Sequence, residues 1–186
     1  ALARAGHRVR TADISPCDAT ALDGEKPDVV FIALHGEFGE SGEVQRLCEQ
    51  RGLAYTGSGP VPSRLGLDKA ASKQLFKRVA GLVTPDWMVL EEFHAPQLRQ
   101  RWLEELDVPV VCKPVCGGSS VDVTIAETAD QRDRGIDELF DRYGRAMVER
   151  YVAGRELTVG ILGDRPLPVI EIVPAGGFYD YHAKYD

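Results

Sequence analysis

The sequence predicts an α/β protein with two domains, and three patterns support this prediction. Residues 28–34 are almost wholly apolar, which is typical of a strand buried on both faces of a parallel sheet. A glycine-rich loop, a helix over residues 43–50 and a short strand over residues 53–56 follow, so the first sixty residues form a β-loop-α-β unit. Strand and helix patterns alternate again after residue 60 and end on a hairpin joined across Gly163-Asp164.

The boundary between the two domains is placed at residue 60. The run Thr56-Gly57-Ser58-Gly59-Pro60 has the composition of a turn, so domain one covers residues 1–60 and domain two covers residues 61–186. A further strand is predicted in domain one at residues 9–14. In domain two the patterns predict helices at residues 62–80, 96–106 and 130–143, and strands at residues 87–90, 108–115, 121–126, 146–152, 156–162 and 167–173.

Composition limits the possible functions. The 186 residues carry a net charge of -7 and are 44% hydrophobic, which indicates a globular protein with a core and argues against non-specific nucleic-acid binding. No apolar run is long enough to cross a bilayer, and the expected location is the cytoplasm. The four cysteines match no zinc or redox spacing, so we interpret them as small apolar core residues in a reducing compartment.

Lys113 is the first candidate site residue. It lies in an apolar strand, where a lysine is costly unless an anion pairs with it. The alternative is an edge strand whose lysine extends to water. The run Gly117-Gly118-Ser119-Ser120 follows at once, and such small residues allow backbone N–H groups to surround a phosphate. The order of residues is neither a P-loop nor a dinucleotide fingerprint.

Three further charged residues are candidates, although each also has an ordinary structural interpretation. Lys69, on a predicted helix, is a second possible phosphate ligand, but most helix lysines are solvated. Glu149 and Glu156 bracket a loop and could accept hydrogen bonds from the amino group and the ribose of a nucleoside. For either glutamate alone, an ordinary strand-end charge is the simpler interpretation.

Six ordered motifs together resemble the D-alanine–D-alanine ligase family across nearly the whole chain. One motif runs from Pro168 through Tyr185, and its residues 177–185, Gly-Phe-Tyr-Asp-Tyr-His-Ala-Lys-Tyr, are the most specific piece of the match. The others are residues 29–59 with Ala33-Leu34-His35-Gly36 and Tyr55-Thr56-Gly57-Ser58-Gly59, Leu67-Asp68-Lys69 with Lys73, Lys113-Pro114, Gly118-Ser119-Ser120-Val121, and residues 149–156.

The resemblance implies an ATP-grasp fold, in which two subdomains enclose ATP; these would be residues 61–148 and the start of a second subdomain at residues 149–186. It implies that Lys69, Lys113 and Lys184 bind ATP phosphates and that Gly118, Ser119 and Ser120 close over them. Glu149 would accept the adenine amino group, the backbone of Val152 would contact the ring, and Glu156 would bind the ribose.

The resemblance also implies a reaction, the ATP-dependent joining of two D-alanines through an acyl phosphate for peptidoglycan synthesis. Ser119 and Tyr185 would position the substrates, His35 would lie near the first D-alanine, and residues 178–186 would form a lid that excludes water. Related ligases that make a D-alanine–D-lactate ester have histidine where this chain has Tyr185, so the dipeptide is the expected product.

Several expectations concern departures from the family pattern. Relatives usually carry glutamate in place of Gly117 and glycine in place of Asp122, and an aspartate beside a phosphate loop should repel ATP unless it faces solvent or a metal. His182 stands where relatives often have an acidic residue. Both ends of the chain look cut, so the ligands for Mg²⁺ (or Mn²⁺) are expected beyond Asp186, and the chain alone should be inactive. Relatives are commonly homodimers.

Two alternatives stay open at this level. The chain could belong to an ATP-grasp ligase that joins another acid and another amine, because fold does not fix function. It could also be a nucleotide-binding module without catalytic activity. Phosphate release that requires D-alanine distinguishes both from the ligase.

Overall fold

The computed structural model describes residues 1–79, 82–94 and 96–173, and the chain divides into two compact units, Ala1–Leu67 and Asp68–Asp186. This division differs from the predicted boundary at residue 60 by one helix, so the boundary and the subdomain limits stay predictions. Of the helices in the described ranges, none is long and apolar enough to span a membrane.

The first unit contains two short 3-10 helices, Ala3–Ala5 and Thr20–Leu22, and three α-helices, α1 (Glu37–Glu40), α2 (Glu43–Gln50) and α3 (Pro60–Leu67). The α2 bounds are those predicted from sequence. Residues 28–34 run parallel to residues 53–56: the Val30 N–H donates to the Ala54 carbonyl at 2.8 Å, and the Thr56 N–H donates to the Val30 carbonyl at 3.0 Å. The predicted β-loop-α-β order is therefore present, although its pairing is limited to one bridge.

Two predictions for the first unit are wrong. Residues 28–34 are not buried on both faces, because Val29 and Phe31 are 53% and 61% exposed while the small core around Val44 and Cys48 covers only the opposite side. Within residues 1–79, which the structure describes in full, residues 9–14 form no strand, and only an isolated bridge joins Ser15 to Asp18.

The predicted helix over residues 62–80 is divided at Asp68. There α3 ends, the backbone of Asp68 becomes extended, and its carboxylate accepts a hydrogen bond from the Ala71 N–H at 2.9 Å. An aspartate in this position caps a new helix, α4 (Lys69–Phe76). The predicted end at Ala80 lies outside the described residues.

The second unit is built on a four-stranded antiparallel sheet of β1 (Trp87–Glu91), β2 (Val110–Lys113), β3 (Thr124–Ala126) and β4 (Arg145–Arg150), in the order β1-β4-β2-β3. Helices α5 (Pro96–Leu103) and α6 (Ala129–Tyr143) contribute to the core on one face. Two antiparallel pairs follow: β5 (Glu156–Thr158) with β8 (Ile170–Ile172), and β6 (Ile161–Leu162) with β7 (Arg165–Pro166), which confirms the hairpin across Gly163-Asp164.

Side-chain alternation separates the two faces of this sheet. Val110, Cys112 and Val148 are fully buried in the core with α6, and burial raises the pKa of the Cys112 thiol to about 12. Because successive strand residues point to opposite faces, Lys113 and Glu149 project from the other face. The helix-covered face therefore anchors the strands that position the candidate site.

None of the four cysteines, all of which lie in the described residues, forms a disulfide, and only two match the interpretation as core residues. Cys48 and Cys112 are buried, whereas Cys17 and Cys116 are exposed. Each exposed cysteine lies in a loop, where no strand or helix periodicity directs its side chain inward.

Glycine is required at position 42, between α1 and α2. Its φ is +91°, and an added Cβ would lie 2.3 Å from the Pro60 carbonyl oxygen. Gly36 has a similar φ of +83° but open space around it. We therefore expect Gly42→Ala to destabilise the first unit by about 3 kcal/mol and Gly36→Ala by only about 1 kcal/mol. Hydrogen exchange of the α2 amides measures both; equal effects would contradict the steric explanation.

Candidate functional site

Lys113 and Glu149 form an ion pair on the sheet face opposite the α6 core. Their residues are offset by two positions across the β2–β4 pair, since Val111 lies opposite Glu149 and Lys113 lies opposite Met147. The Lys113 Nζ is 2.6 Å from Glu149 Oε1. Strand β2 has neighbours on both sides, so the edge-strand interpretation of Lys113 is wrong. The expected anionic partner exists within the protein itself.

Helix α4 brings a second lysine to the same carboxylate. Lys73 is only 7% exposed, and its Nζ lies 2.5 Å from Glu149 Oε2. Lys69 precedes Lys73 by four residues, a spacing that places both on one side of the helix. The Lys69 Nζ donates to the carbonyls of Pro114 at 3.0 Å and Gly117 at 2.8 Å, so α4 is bound to the segment that follows β2.

Burial and neighbouring charges shift the pKa values of Glu149 and Lys69. Burial alone would raise the pKa of Glu149, but hydrogen bonds from Lys113 and Lys73 outweigh it and hold the pKa below its usual value. Burial lowers the pKa of Lys69, and the nearby positive charge of Lys113 lowers it further. The charged form of the Glu149 carboxylate is therefore stabilised. The charged form of Lys69 is destabilised, and an anion bound nearby would offset this effect.

The cluster of Lys69, Lys73, Lys113 and Glu149 contains more positive than negative charge. Three ammonium groups adjoin one carboxylate, and within the described part of the chain Lys69 has no carboxylate at ion-pair distance. Each ammonium has three donor hydrogens, so Lys113 keeps two beyond its bond to Glu149 and Lys69 keeps one beyond its two carbonyls. This arrangement can accept an anion with several oxygen atoms.

The glycine-serine loop lies at the end of β2 beside this cluster. Gly117 has a φ of +108°, and Ser119 and Ser120 have left-handed φ values of 55° and 56°. The Val121 N–H donates to the Gly118 carbonyl at 3.2 Å and closes a tight turn. A left-handed conformation costs a residue other than glycine about 1 kcal/mol, so surrounding contacts must hold this loop.

Asp122 does not present a free negative charge to the loop. Its carboxylate is hydrogen bonded by the Tyr143 hydroxyl and ion-paired with the Arg142 guanidinium, and these contacts lower its pKa, the tyrosine bond being the larger effect. The sequence suggested that Asp122 would repel ATP unless it faced solvent or a metal. It gave no indication of these two partners at the end of α6. Gly117 adopts a φ that favours glycine, and a glutamate there would be strained.

The remaining predicted site residues are either exposed or lie outside the described residues. Val152 follows β4 and is 64% exposed, and Glu156 begins β5 and is also exposed. His35 is an exposed residue of the first unit, in the loop before α1. Lys184 and Tyr185, with the rest of the predicted lid and His182, lie outside the described residues. The structure thus brings together Lys69, Lys113, Glu149 and the loop.

Three residues of this site received no role from the sequence. Lys73 was part of the Leu67-Asp68-Lys69 motif, and its four-residue spacing from Lys69 was the available signal. Arg142 and Tyr143 gave no signal, because their contact with Asp122 spans about twenty residues of sequence. In residues 1–79, 82–94 and 96–173, no group of three His, Cys, Asp or Glu residues is arranged to bind a metal ion.

The buried ion pair predicts that Lys73→Met destabilises the protein. The substitution removes the ammonium group but keeps a long unbranched side chain, so Glu149 is left with one cationic partner, and we expect a loss of roughly 2 kcal/mol in the free energy of unfolding. Arg78→Met, which removes an exposed charge just after α4, should change it by less than about 0.5 kcal/mol. Urea denaturation compares the two, and equal losses would refute the buried-pair argument.

The lowered pKa of Glu149 predicts acid sensitivity. The unfolded chain takes up a proton near the usual value of 4.5 while folded Glu149 stays charged, so its contribution is present above that pH and is lost as the pH falls through the folded pKa. Wild type should therefore exceed Glu149→Gln in stability at pH 7, and this difference should shrink below about pH 4.5. A difference that is independent of pH would contradict the assignment.

Comparison with known proteins gives a consistent result for both units. A family model described as D-ala D-ala ligase N-terminus matches residues 7–58, and one described as D-ala D-ala ligase C-terminus matches residues 75–186. Across the full chain, the sequence is 42% identical to a D-alanine–D-alanine ligase of Gloeobacter violaceus and 41% identical to one of Aquifex aeolicus. The chain spans 61% and 62% of the length of these curated relatives.

Solved structures support the same relationship. A D-alanine–D-alanine ligase of Bacillus anthracis superposes with a TM-score of 0.73 and 34% identity, over 90% of this chain and 53% of its own. The same enzyme complexed with ATP gives a TM-score of 0.74 and 31% identity, over 86% of this chain and 53% of its own. These matches confirm the predicted ATP-grasp fold class. Since both family models cover their respective parts of the sequence, the chain belongs to the D-alanine–D-alanine ligase family.

Proposed function

We propose that this chain is the nucleotide-binding part of an ATP-dependent ligase that joins two D-alanines into D-alanyl-D-alanine for peptidoglycan. One observation carries the proposal: the cluster of Lys69, Lys73, Lys113 and Glu149 has excess positive charge beside a loop of left-handed serines. In an acidic protein, this local excess is the feature suited to a polyphosphate. The ATP complex of the Bacillus anthracis relative supports the choice of nucleotide.

The phosphates would be bound by Lys69 and Lys113, with Lys184 as a third ligand at the γ-phosphate. The remaining donor hydrogens of the first two lysines point to this role, since their other hydrogens already bond to Glu149, Pro114 and Gly117. Gly118, Ser119 and Ser120 would contribute backbone N–H and hydroxyl donors. Such charge-assisted hydrogen bonds are the stronger kind in proteins.

The nucleoside would lie along the end of β4 and the start of β5. Glu149 would accept the adenine amino group, because each carboxylate oxygen has two acceptor positions and the lysines occupy one on each. The exposed backbone of Val152 would contact the ring, and the exposed Glu156 would accept hydrogen bonds from the ribose hydroxyls.

The proposed reaction transfers the γ-phosphoryl group of ATP to a carboxylate oxygen of the first D-alanine, which leaves ADP and an acyl phosphate. The amine of the second D-alanine attacks the carbonyl carbon, the C–O bond to phosphate breaks, and the amine loses a proton. Ser119 and Tyr185 would orient the substrates, and His35 would lie near the first D-alanine. Magnesium would neutralise phosphate charge when bound; the described residues offer it no ligand group, so no role in its binding is assigned to them.

A cytoplasmic location and a homodimer complete the proposal, together with the lid at residues 178–186. Neither the described residues nor the comparisons test these three points, and they stay predictions.

Phosphate release from ATP and Mg²⁺ by the full-length protein tests the activity. Release should require D-alanine and yield the dipeptide, whereas L-alanine alone should give none and D-lactate with D-alanine should give no ester. Dipeptide formation from another amino acid would favour a different carboxylate–amine ligase. ATP binding without release under any of these conditions would favour the non-catalytic module.

The role of Lys113 predicts a specific loss of nucleotide binding. Lys113→Gln should weaken ATP binding at least about tenfold, because one charge-assisted hydrogen bond to phosphate contributes roughly 1.5 kcal/mol or more. Lys26→Gln removes an exposed lysine of the first unit and should leave ATP binding unchanged. Calorimetric titration with ATP measures both, after circular dichroism confirms that each variant is folded; unchanged binding by folded Lys113→Gln would refute the role.

A further inference from the structure

The loop at residues 117–122 is held at both of its ends. At its start, the Gly117 carbonyl accepts a hydrogen bond from the Lys69 Nζ at 2.8 Å. At its end, Asp122 is bonded to two side chains of α6, Arg142 and Tyr143. The two contacts come from different helices, α4 and α6. The loop is therefore attached to the second unit at two separate points.

The loop has a backbone conformation that contacts with the rest of the protein must hold. Ser119, Ser120 and Asp122 all have left-handed φ values between 53° and 56°. Aspartate tolerates this region, but consecutive serines in it are unusual. Residues held in such a conformation persist only where surrounding contacts fix them. The contacts at Gly117 and Asp122 are therefore among those that hold the observed shape.

The anchor on α6 is rigid and depends on its two donors. Helix α6 begins at Thr128 with a capping box formed with Gln131, and Ile136, Leu139 and Phe140 bury its inner side. An aspartate near the carboxyl end of a helix is disfavoured by the helix dipole. The guanidinium of Arg142 and the hydroxyl of Tyr143 must outweigh this effect for Asp122 to stay in place.

We propose that Asp122, bound by Arg142 and Tyr143, is a positioning residue that sets the phosphate-binding shape of loop 117–122 before nucleotide arrives. This inference rests on the proposed function. Contacts to phosphate that are already formed with bound ATP stabilise ground state and transition state alike. Loss of the Asp122 contacts should therefore raise KM for ATP, while kcat falls by a smaller factor because Ser119 of the same loop is proposed to orient the substrates.

Substitutions of the α6 residues test the inference best, because they do not change the sequence of the loop. Arg142→Gln removes the charge, Tyr143→Phe removes only the hydroxyl, and the double variant removes both bonds. Asp122→Asn keeps a residue that tolerates the left-handed region but loses the negative charge. Arg134→Gln is the matched control, since it removes an exposed arginine of the same helix.

The experiment combines hydrogen exchange of the loop amides, without nucleotide, with initial rates of D-alanine-dependent phosphate release by the full-length protein. In the double variant we expect loop exchange and KM for ATP each to rise roughly fivefold or more, with a clearly smaller fall in kcat. Each single variant and Asp122→Asn should lie between wild type and the double variant, and Arg134→Gln should match wild type.

Other outcomes overturn the inference. Unchanged loop exchange in the double variant would show that Asp122 does not hold the loop, and faster loop exchange with unchanged KM would show that the loop shape does not affect ATP. Faster exchange throughout α6, or a fall in kcat equal to the rise in KM, would indicate a merely structural role. Loop exchange is measured without substrates, so wild type that releases no phosphate would refute the proposed function separately.

Discussion

The second unit depends on one carboxylate, that of Glu149, which makes two poorly exposed lysines tolerable on the same sheet face. Lys73 and Lys113 come from a helix and a strand that are far apart in sequence, and each ammonium reaches a different oxygen of Glu149. A buried ammonium without a partner would lose its proton or destabilise the fold. The pairing therefore fixes helix α4 to the sheet.

This arrangement explains how the lysine cluster can be stable without a bound anion. Lys69 bonds to the carbonyls of Pro114 and Gly117, and Glu149 balances the charges of its two neighbours. Among the described residues, Lys69 has two hydrogen-bond acceptors and Lys113 has one, so each of these ammonium groups keeps at least one of its three donors. The cluster thus keeps excess positive charge although its lysines already make hydrogen bonds and ion pairs. The neighbouring loop is held at its other end by the contacts of Asp122 with α6.

Much of the fold could be predicted, because its signals are local. The periodicity of α2 and α6, the apolar runs of β2 and β4 and the turn at Gly163-Asp164 are all visible in short windows of sequence. The break at Asp68 was missed because helical periodicity on either side conceals a single capping residue. Residues 28–34 were wrongly predicted to be buried on both faces, because apolar composition does not show how many faces are covered.

The site could be predicted only in part. Its residue types and the Lys113 loop were visible, but the partners of Glu149 and Asp122 were not, since both contacts depend on sheet register and on where α6 ends. The family resemblance supplied roles that no single residue type would justify. It did not supply the roles of Lys73, Arg142 or Tyr143, which required coordinates.

The alternation along β2 has a consequence for how sequences of this kind can change. Cys112 faces the core and Lys113 faces the site, so inserting or deleting one residue in this strand would exchange their directions. A charged group would then enter the apolar layer beneath α6, and a thiol would replace the cation at the site. Length variation among descendants of this sequence should therefore accumulate in the connecting loops, while β2 and β4 change only by substitution.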